Sequence, residues 1–227
     1  MKRTLVLLTL NEIDGCRHFV PKLPKDSVNE IIAVDANSTD GTREYLESEG
    51  IRVLSQDKRG RGEAFRVAVR GSDGEAFVFF SPDGNEDEAD IPKLFATLDA
   101  GADMVIASRF LPASKNEEDD VALPLRKWTN QAFTFLANTI WNRGKYVTDT
   151  INGYRGITRQ AFERLAPQSM GYTIEYELTI RSWKNRLKIV EIPTIEGQRL
   201  AGETKGPSFQ VGLTFVRFFL SELVRSN

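Results

Sequence analysis

Cysteine and histidine are almost absent from this chain of 227 residues, which contains one of each, Cys16 and His18. A single cysteine excludes an intramolecular disulfide and a zinc site built from cysteines, and it fits a reducing compartment. A single histidine excludes a metal site built from several histidines and argues against a Ser-His-Asp triad. We predict that Cys16 packs in the interior and that His18, in a polar stretch, is solvated.

The chain also lacks a strong net charge. Its 30 basic and 32 acidic residues leave a formal charge of −2, so no global field favours nucleic acid, and any anionic ligand must be held by local charge.

Long hydrophobic runs are missing as well. The apolar run after Lys2 and Arg3 stops at Asn11-Glu12 without a small-residue cleavage site, which predicts a buried first strand rather than a signal peptide. The apolar segment 209–224 is shorter than the roughly 20 residues that a membrane-spanning helix needs.

Strand and helix patterns alternate along the chain. Strands are predicted at Leu5–Leu8, Asn29–Val34, Ile51–Leu54, Phe77–Phe80, Met104–Ala107 and Lys188–Ile192, with strand and turn over Asp149–Thr158. Helices are predicted at Thr42–Glu49, Gly62–Val69, Asp90–Asp99, Arg126–Asn142 and Thr173–Lys184. This alternation predicts an α/β fold with a mostly parallel central sheet flanked by helices, which binds ligands at the carboxyl ends of its strands.

Two segments interrupt this pattern. Residues 111–125 form a polar loop, either a lid or a solvated insertion. We divide the chain into a main domain, 1–208, and an aromatic helix, 209–227, that is either docked on the core or lies at a membrane interface.

Short polar motifs follow the predicted strands, and their order along the chain is informative. They are Thr9-Leu10-Asn11-Glu12, Val34-Asp35-Ala36-Asn37-Ser38-Thr39-Asp40-Gly41-Thr42, Arg59-Gly60-Arg61-Gly62-Glu63-Ala64, Ser81-Pro82-Asp83-Gly84-Asn85 and Ala107-Ser108-Arg109-Phe110. Each stands at a strand end or helix start, so we expect all of them at one edge of the sheet.

These motifs resemble those of the family 2 glycosyltransferases, and among them the polyprenyl-phosphate sugar synthases. The resemblance continues through Asp149-Thr150-Ile151-Asn152-Gly153-Tyr154-Arg155, Gly171-Tyr172-Thr173-Ile174-Glu175-Tyr176-Glu177 and Arg199-Leu200-Ala201-Gly202-Glu203-Thr204-Lys205. It covers residues 4–206 and implies a GT-A type nucleotide-binding fold. It also implies inverting transfer of a sugar from GDP-mannose or a UDP-hexose to a polyprenyl (dolichyl) phosphate.

On the donor side, the resemblance implies a nucleotide pocket. Its expected members are Thr9, Asn11, Glu12, Asp35, Arg59, Gly62 and Lys205. Asp35 can accept hydrogen bonds from a base or ribose, or it can be a turn residue, whereas Asp40 reads as structural. We expect Gly60 and Gly62 to let the backbone approach the ligand, and Arg61 either to neutralise phosphate or to be solvated.

Asp83 is the expected ligand of Mg²⁺ or Mn²⁺ beside the donor diphosphate, with Asn85 as a second oxygen ligand. Two positions depart from the family pattern. Ser81 stands where the Asp-x-Asp motif has its first carboxylate, and Ala36 replaces the second aspartate of the Asp35 loop. Metal geometry and base identity therefore do not carry over.

The acceptor decides which residues catalysis requires. A lipid phosphate is already anionic and needs cationic positioning, for which the resemblance offers Arg109, Arg155, Arg199 and Lys205. A hydroxyl acceptor needs a carboxylate base instead, and Asp149, Glu175 and Glu177 are the candidates. A third alternative is a non-catalytic subunit that binds a nucleotide sugar. For the lipid acceptor we expect peripheral contact at the cytoplasmic face of the membrane.

Overall fold

A seven-stranded sheet forms the centre of the computed structural model, which describes residues 1–119, 124–200 and 208–225. The strands are β1 (Arg3–Thr9), β2 (Glu30–Asp35), β3 (Arg52–Ser55), β4 (Ala76–Phe80), β5 (Met104–Ser108), β6 (Arg155–Thr158) and β7 (Ile189–Pro193). Their order is β3-β2-β1-β4-β6-β5-β7. Only the pairs that β6 makes with β4 and β5 are antiparallel. The carboxyl ends of the other six strands therefore meet at one edge.

Helices cover both faces of this sheet. They are α1 (Ile13–Phe19), α2 (Thr42–Ser48), α3 (Arg61–Gly71), α4 (Ile91–Asp99), α5 (Leu125–Trp141), α6 (Arg159–Leu165), α7 (Ile174–Lys184) and α8 (Ser208–Val224). Short 3₁₀ turns lie at Val20–Lys22, Lys25–Ser27 and Glu88–Asp90.

The central strands are buried on both faces, as their unbroken apolar sequences require. Residues of β1 alternate between the two cores, with Leu5 and Leu7 on one side and Val6 and Leu8 on the other. The first core takes side chains from α1, α2 and α4, including Cys16, and the second takes them from α3, α6 and α7. The α/β prediction is confirmed, and Cys16 is fully buried as expected.

The helix α8 packs against α5 and α7 in a third apolar cluster. Phe215 is 5% exposed and contacts the rings of Phe133 and Tyr176. Glu222 is 1% exposed and accepts hydrogen bonds from Arg181 and Lys184 of α7. One face of α8 is therefore docked on the body of the protein, although the domain boundary at residue 208 stays a prediction.

Within the described ranges, no helix has both the length and the apolar character needed to cross a membrane. The helices α1 and α6 are absent from the sequence prediction, and the antiparallel direction of β6 was not foreseen either.

Candidate active site

The end of β1 and the loop after β2 form one hydrogen-bonded unit at the carboxyl edge of the sheet. Asp35 is 1% exposed, and its carboxylate accepts hydrogen bonds from the Thr9 hydroxyl at 2.9 Å and from the backbone and hydroxyl of Ser38 at 2.9 and 2.5 Å. In this conformation Asp35 supports the loop that follows it, and its contact with a nucleotide stays a prediction.

The segment after β1 is fastened to the same loop. Asn11 has a positive φ of 51°, donates its N–H to Ser38 and accepts from the Thr39 N–H. The Glu12 N–H donates to the Thr42 hydroxyl at 3.0 Å. Partial burial would raise the pKa of Asp40, but hydrogen bonds from the Thr42 hydroxyl and from the backbone N–H groups of Ile13 and Thr42 lower it. Its structural role is as predicted.

The glycines at the start of α3 lie against a distant backbone segment. A Cβ on Gly60 would lie 2.0 Å from the Met170 carbonyl oxygen, and one on Gly62 would lie 2.0 Å from that of Ser169. The Gly62 N–H also donates to the Met170 carbonyl. These glycines thus admit the protein's own backbone, and their approach to a ligand stays a prediction. Arg59, next to them, is exposed.

Asp83 lies in the loop after β4, 14% exposed in its side chain. One carboxylate oxygen accepts from the Asn85 N–H at 3.2 Å, and the other accepts from Arg199 Nη2 at 2.6 Å. The Asn85 side-chain amide donates to Glu117 and to the Gly197 carbonyl. The loop thus faces the segment after β7.

The described residues contain no group of three or more His, Cys, Asp or Glu side chains that could hold a metal. A Mg²⁺ or Mn²⁺ ion commonly uses one or two carboxylates and takes its other ligands from water and phosphate. Asp83, as a partly accessible oxygen donor at the sheet edge, fits that kind of site. The assignment of Asp83 and Asn85 as metal ligands stays a prediction.

Arg61 contacts Ser81, which stands where the Asp-x-Asp motif has its first carboxylate. It forms a close ion pair with Glu175, which is 2% exposed, and its Nη1 donates to the Ser81 hydroxyl at 3.2 Å. The pocket for Arg61 exists because residue 153 is glycine, since a Cβ there would lie 1.9 Å from Arg61 Nη2. The Arg61 side chain is therefore held by the protein itself.

Glu86 is a residue that sequence reasoning missed. Its carboxylate accepts the Ser81 N–H at 2.6 Å, so it folds back onto the Asp83 loop. Burial, with the charge of Asp83 added, raises the pKa of Glu86 to about 8 although Arg61 opposes the shift. The available signal was a glutamate directly after the turn residues.

Arg109, at the end of β5, is paired with Asp149. Its Nε and Nη2 donate to the two oxygens of Asp149 at 2.7 and 3.0 Å, and its Nη1 lies 3.4 Å from Glu196. Burial alone would raise the pKa of Asp149, but Arg109 holds it below its usual value. The Arg109 side chain is 10% exposed and joins β5 to the segments before β6 and after β7.

Arg155 lies inside the protein and not at the acceptor surface. It is fully buried, and its guanidinium donates to the backbone carbonyls of Thr150, Asn152 and Glu175. Burial lowers its pKa to about 10. A direct contact with substrate does not fit this position, so we assign Arg155 a structural role.

Three further residues of the expected site remain, namely Glu177 and the two cations of the segment after β7. Glu177 is fully buried, accepts from the backbone of Gln168 and Ser169, and pairs with Arg181 at 2.6 Å. Arg199 contacts Asp83, as described above. Lys205 lies outside the described residues.

Comparison with known proteins identifies the family. The pattern of Glycosyl transferase family 2 matches residues 6–166, which is more than half of the chain. The chain therefore belongs to this family, and the resemblance seen in the motifs is confirmed.

Curated relatives cover most of the chain. It is 29% identical to glycosyltransferase AglJ of Haloferax volcanii over 82% of this chain and 60% of that protein. It is 28% identical to undecaprenyl-phosphate mannosyltransferase of Micrococcus luteus over 90% of this chain and 87% of the relative. The polyprenol monophosphomannose synthase of Mycolicibacterium smegmatis is 27% identical over 90% of this chain and 81% of that protein. The chain spans only 52–60% of the length of two Haloferax volcanii relatives.

Solved structures share the fold. Glucosyl-3-phosphoglycerate synthase from Mycobacterium tuberculosis, in complex with Mn²⁺, UDP and glucosyl-3-phosphoglycerate, superimposes with a TM-score of 0.78. The match covers 100% of this chain and 81% of that one at 20% identity. This likeness confirms the GT-A type fold.

Proposed function

We propose that this protein transfers a sugar from a nucleotide sugar to a polyprenyl phosphate with inversion at the anomeric carbon. The donor is GDP-mannose or a UDP-hexose. The curated relatives whose names specify a polyprenyl-phosphate or polyprenol product support the acceptor class.

The observation that carries the proposal is the state of the three candidate bases. Asp149 is bound bidentately by Arg109, Glu175 is paired with Arg61, and Glu177 is paired with Arg181. Each carboxylate is at most 2% exposed. A hydroxyl acceptor needs a base within hydrogen-bond reach of its proton, whereas a phosphate monoester arrives as an anion and needs none.

On the donor side, the Thr9–Asp35–Ser38 unit and the start of α3 form the walls of the proposed nucleotide pocket. Asn11 and Glu12 position the loop through their hydrogen bonds, and we assign the exposed Arg59 to the donor phosphates. Asp83, with Asn85 beside it, would hold Mg²⁺ or Mn²⁺. The ion, when bound, stabilises the negative charge on the departing nucleoside diphosphate.

On the acceptor side, we assign phosphate binding to Arg199 and to Lys205. Arg109 acts as a positioning residue, because its contacts with Asp149 and Glu196 fix the segment that carries Arg199. Direct attack by the acceptor phosphate oxygen on the anomeric carbon expels the nucleoside diphosphate and inverts the configuration.

Peripheral membrane contact forms part of the same proposal and explains how the protein would reach its acceptor. Exposed apolar side chains lie along both α5 and α8; they are Leu125, Trp128, Phe135, Leu136, Leu213, Val216, Leu220, Leu223 and Val224. Exposed Arg143, Lys145 and Tyr146 follow α5, and this combination of apolar, basic and aromatic groups suits an anionic interface. We place this surface at the cytoplasmic face of the membrane.

The acceptor is tested with a matched pair of lipids. Purified protein, Mn²⁺ and a panel of nucleotide sugars are incubated with a short polyprenyl phosphate or the corresponding polyprenol, and the products are analysed by mass spectrometry and NMR. We expect a glycosyl phosphate with inverted anomeric configuration from the phosphate alone. Glycosylation of the polyprenol would indicate a hydroxyl transferase. Donor binding without any product would indicate a binding subunit.

Membrane contact is tested separately by cosedimentation with anionic vesicles. Val216→Glu together with Leu220→Glu places charge on the exposed apolar face of α8, and we expect binding to be lost. Thr214→Glu is the matched control because Thr214 is an exposed polar residue of the same helix. Equal binding by all three proteins would contradict the assignment of this surface.

A further inference from the structure

The segment after β7 is fastened to the loop that carries Asp83. We call residues Thr194–Leu200 the strap and residues Ser81–Asn85 the Asp83 loop. Besides the Arg199–Asp83 ion pair at 2.6 Å, the Leu200 N–H donates to the Asp83 carbonyl at 2.9 Å. The Gly197 N–H donates to the Asn85 carbonyl at 2.9 Å, and the Asn85 amide donates back to the Gly197 carbonyl at 3.0 Å.

Two glycines allow this approach. A Cβ on Gly197 would lie 2.5 Å from the Gly84 carbonyl oxygen. Gly84 has a φ of 105°, and a Cβ there would lie 2.7 Å from the Gln198 carbonyl oxygen and from the Leu200 nitrogen. The strap and the Asp83 loop are therefore in direct backbone contact, and a displacement of one requires the other to move.

The ion pair occupies the carboxylate that the donor complex requires. The Asp83 oxygens accept from the Asn85 N–H and from the Arg199 guanidinium. A divalent cation bound at Asp83 would face that guanidinium across the same carboxylate, and like charges at such a distance repel. Arg199 and the cation therefore compete for one anion.

We propose that Arg199 exchanges partners during the reaction. It holds Asp83 before the donor binds, is displaced when the cation and the nucleotide occupy the Asp83 loop, and then binds the acceptor phosphate. The contact between the strap and the loop thus couples the donor site to the acceptor site. The donor binds first, and its binding makes the acceptor cation available. This inference rests on the proposed function, since it takes the nucleotide site and the phosphate acceptor from it.

The exchange predicts effects of opposite sign from one substitution. Arg199→Gln removes the competitor, so Mn²⁺ and nucleoside diphosphate should bind about fivefold more tightly, as expected for a partly exposed ion pair worth about 1 kcal/mol. The same variant lacks the acceptor ligand, so the KM for a soluble prenyl phosphate such as citronellyl phosphate should rise at least about tenfold.

Gly197→Ala separates the two effects. The added Cβ pushes the strap away from Gly84, which weakens the Arg199–Asp83 ion pair but keeps the arginine in the chain for the acceptor phosphate. We expect tighter binding of Mn²⁺ and nucleotide, as in Arg199→Gln, without the same rise in KM. Arg52→Gln is the matched control, because it breaks another partly exposed ion pair, Arg52–Glu30, at the far edge of the sheet on β3. It should change neither quantity.

The experiment is isothermal titration of Mn²⁺ with GDP or UDP into the full chain of each variant, followed by initial rates with citronellyl phosphate. Weaker or unchanged nucleotide binding by Arg199→Gln overturns the exchange. If the wild-type chain still binds the nucleotide with Mn²⁺, that result leaves the proposed function intact. Failure of the wild-type chain to bind any nucleotide with Mn²⁺ overturns the proposed function and the exchange with it.

Discussion

Substitution of Glu175 by glutamine distinguishes a structural carboxylate from a catalytic base. Glu175 is 2% exposed and forms a close ion pair with Arg61, whose side chain is 22% exposed. Glutamine keeps the size of the side chain but leaves the guanidinium without its counter-charge. Removing one partner of a buried pair costs about 3–5 kcal/mol, and partial exposure of Arg61 places the expected loss near 3 kcal/mol.

This loss is large enough to measure directly. In a domain of this size 1 kcal/mol shifts the melting temperature by about 2–4 °C, so Glu175→Gln should lower it by about 6–12 °C in differential scanning calorimetry. The double variant Arg61→Leu with Glu175→Leu removes both charges, and it should regain much of the lost stability because neither charge is left unpaired.

The opposite pattern would contradict a structural role for Glu175. A Glu175→Gln protein with an unchanged melting temperature, but with turnover reduced about 10²–10⁴-fold, would behave as an enzyme that has lost a general base. That result would favour a hydroxyl acceptor.

Three further predictions concern other parts of the structure. Although burial opposes the shift, Lys184 and Arg181 lower the pKa of Glu222. The stabilisation that Glu222 gives the folded state is therefore full above the usual glutamate pKa and is lost as the pH falls through the pKa of Glu222 in the folded protein. The protection factors of α8 amides, taken against the intrinsic exchange rate at each pH, should fall in acid in the wild type and at neutral pH in Glu222→Gln; unchanged protection in that variant would contradict the anchoring role. Burial raises the pKa of Cys16 to about 12, so the native thiol should resist a maleimide at pH 8 and react once the chain is unfolded, whereas rapid labelling of the native protein would contradict its burial. Gly62→Ala should lower the melting temperature, because its Cβ would collide with the Ser169 carbonyl, and an unchanged melting temperature would show that this contact is loose.

Hydrophobic patterning predicted the sheet well. Strands such as Phe77–Phe80 and Met104–Ala107 lie within one residue of their observed bounds at each end because they are unbroken apolar runs buried on both faces. The polar motifs after them come together at one edge because the strands that carry them are parallel. The α/β class and the family therefore follow from local sequence.

The partners of charged side chains did not follow from the sequence. Arg155 resembles a phosphate ligand in its motif, yet it lies under the turn before β6 and donates to backbone carbonyls. Its burial depends on the antiparallel insertion of β6 between β4 and β5, which is set by packing across distant parts of the chain. Pairs such as Arg61–Glu175 join residues 114 positions apart, and no local pattern marks them.

The partners of the glycines also could not be predicted from local sequence. The sequence predicted that Gly60 and Gly62 let the backbone approach a ligand, and that role stays a prediction. What approaches them is the backbone at Ser169 and Met170, a segment far along the chain whose position is fixed by the folded structure.

In the proposed reaction Asp83 supports metal-dependent transfer to a phosphate acceptor, and the release of nucleoside diphosphate measures that transfer. Purified protein is incubated with each nucleotide sugar, with and without Mn²⁺ and a short polyprenyl phosphate, and the released diphosphate is measured. We expect release that requires both additions and falls strongly in Asp83→Ala. Release that is independent of the lipid phosphate, or an Asp83→Ala protein as active as the wild type, would contradict the account.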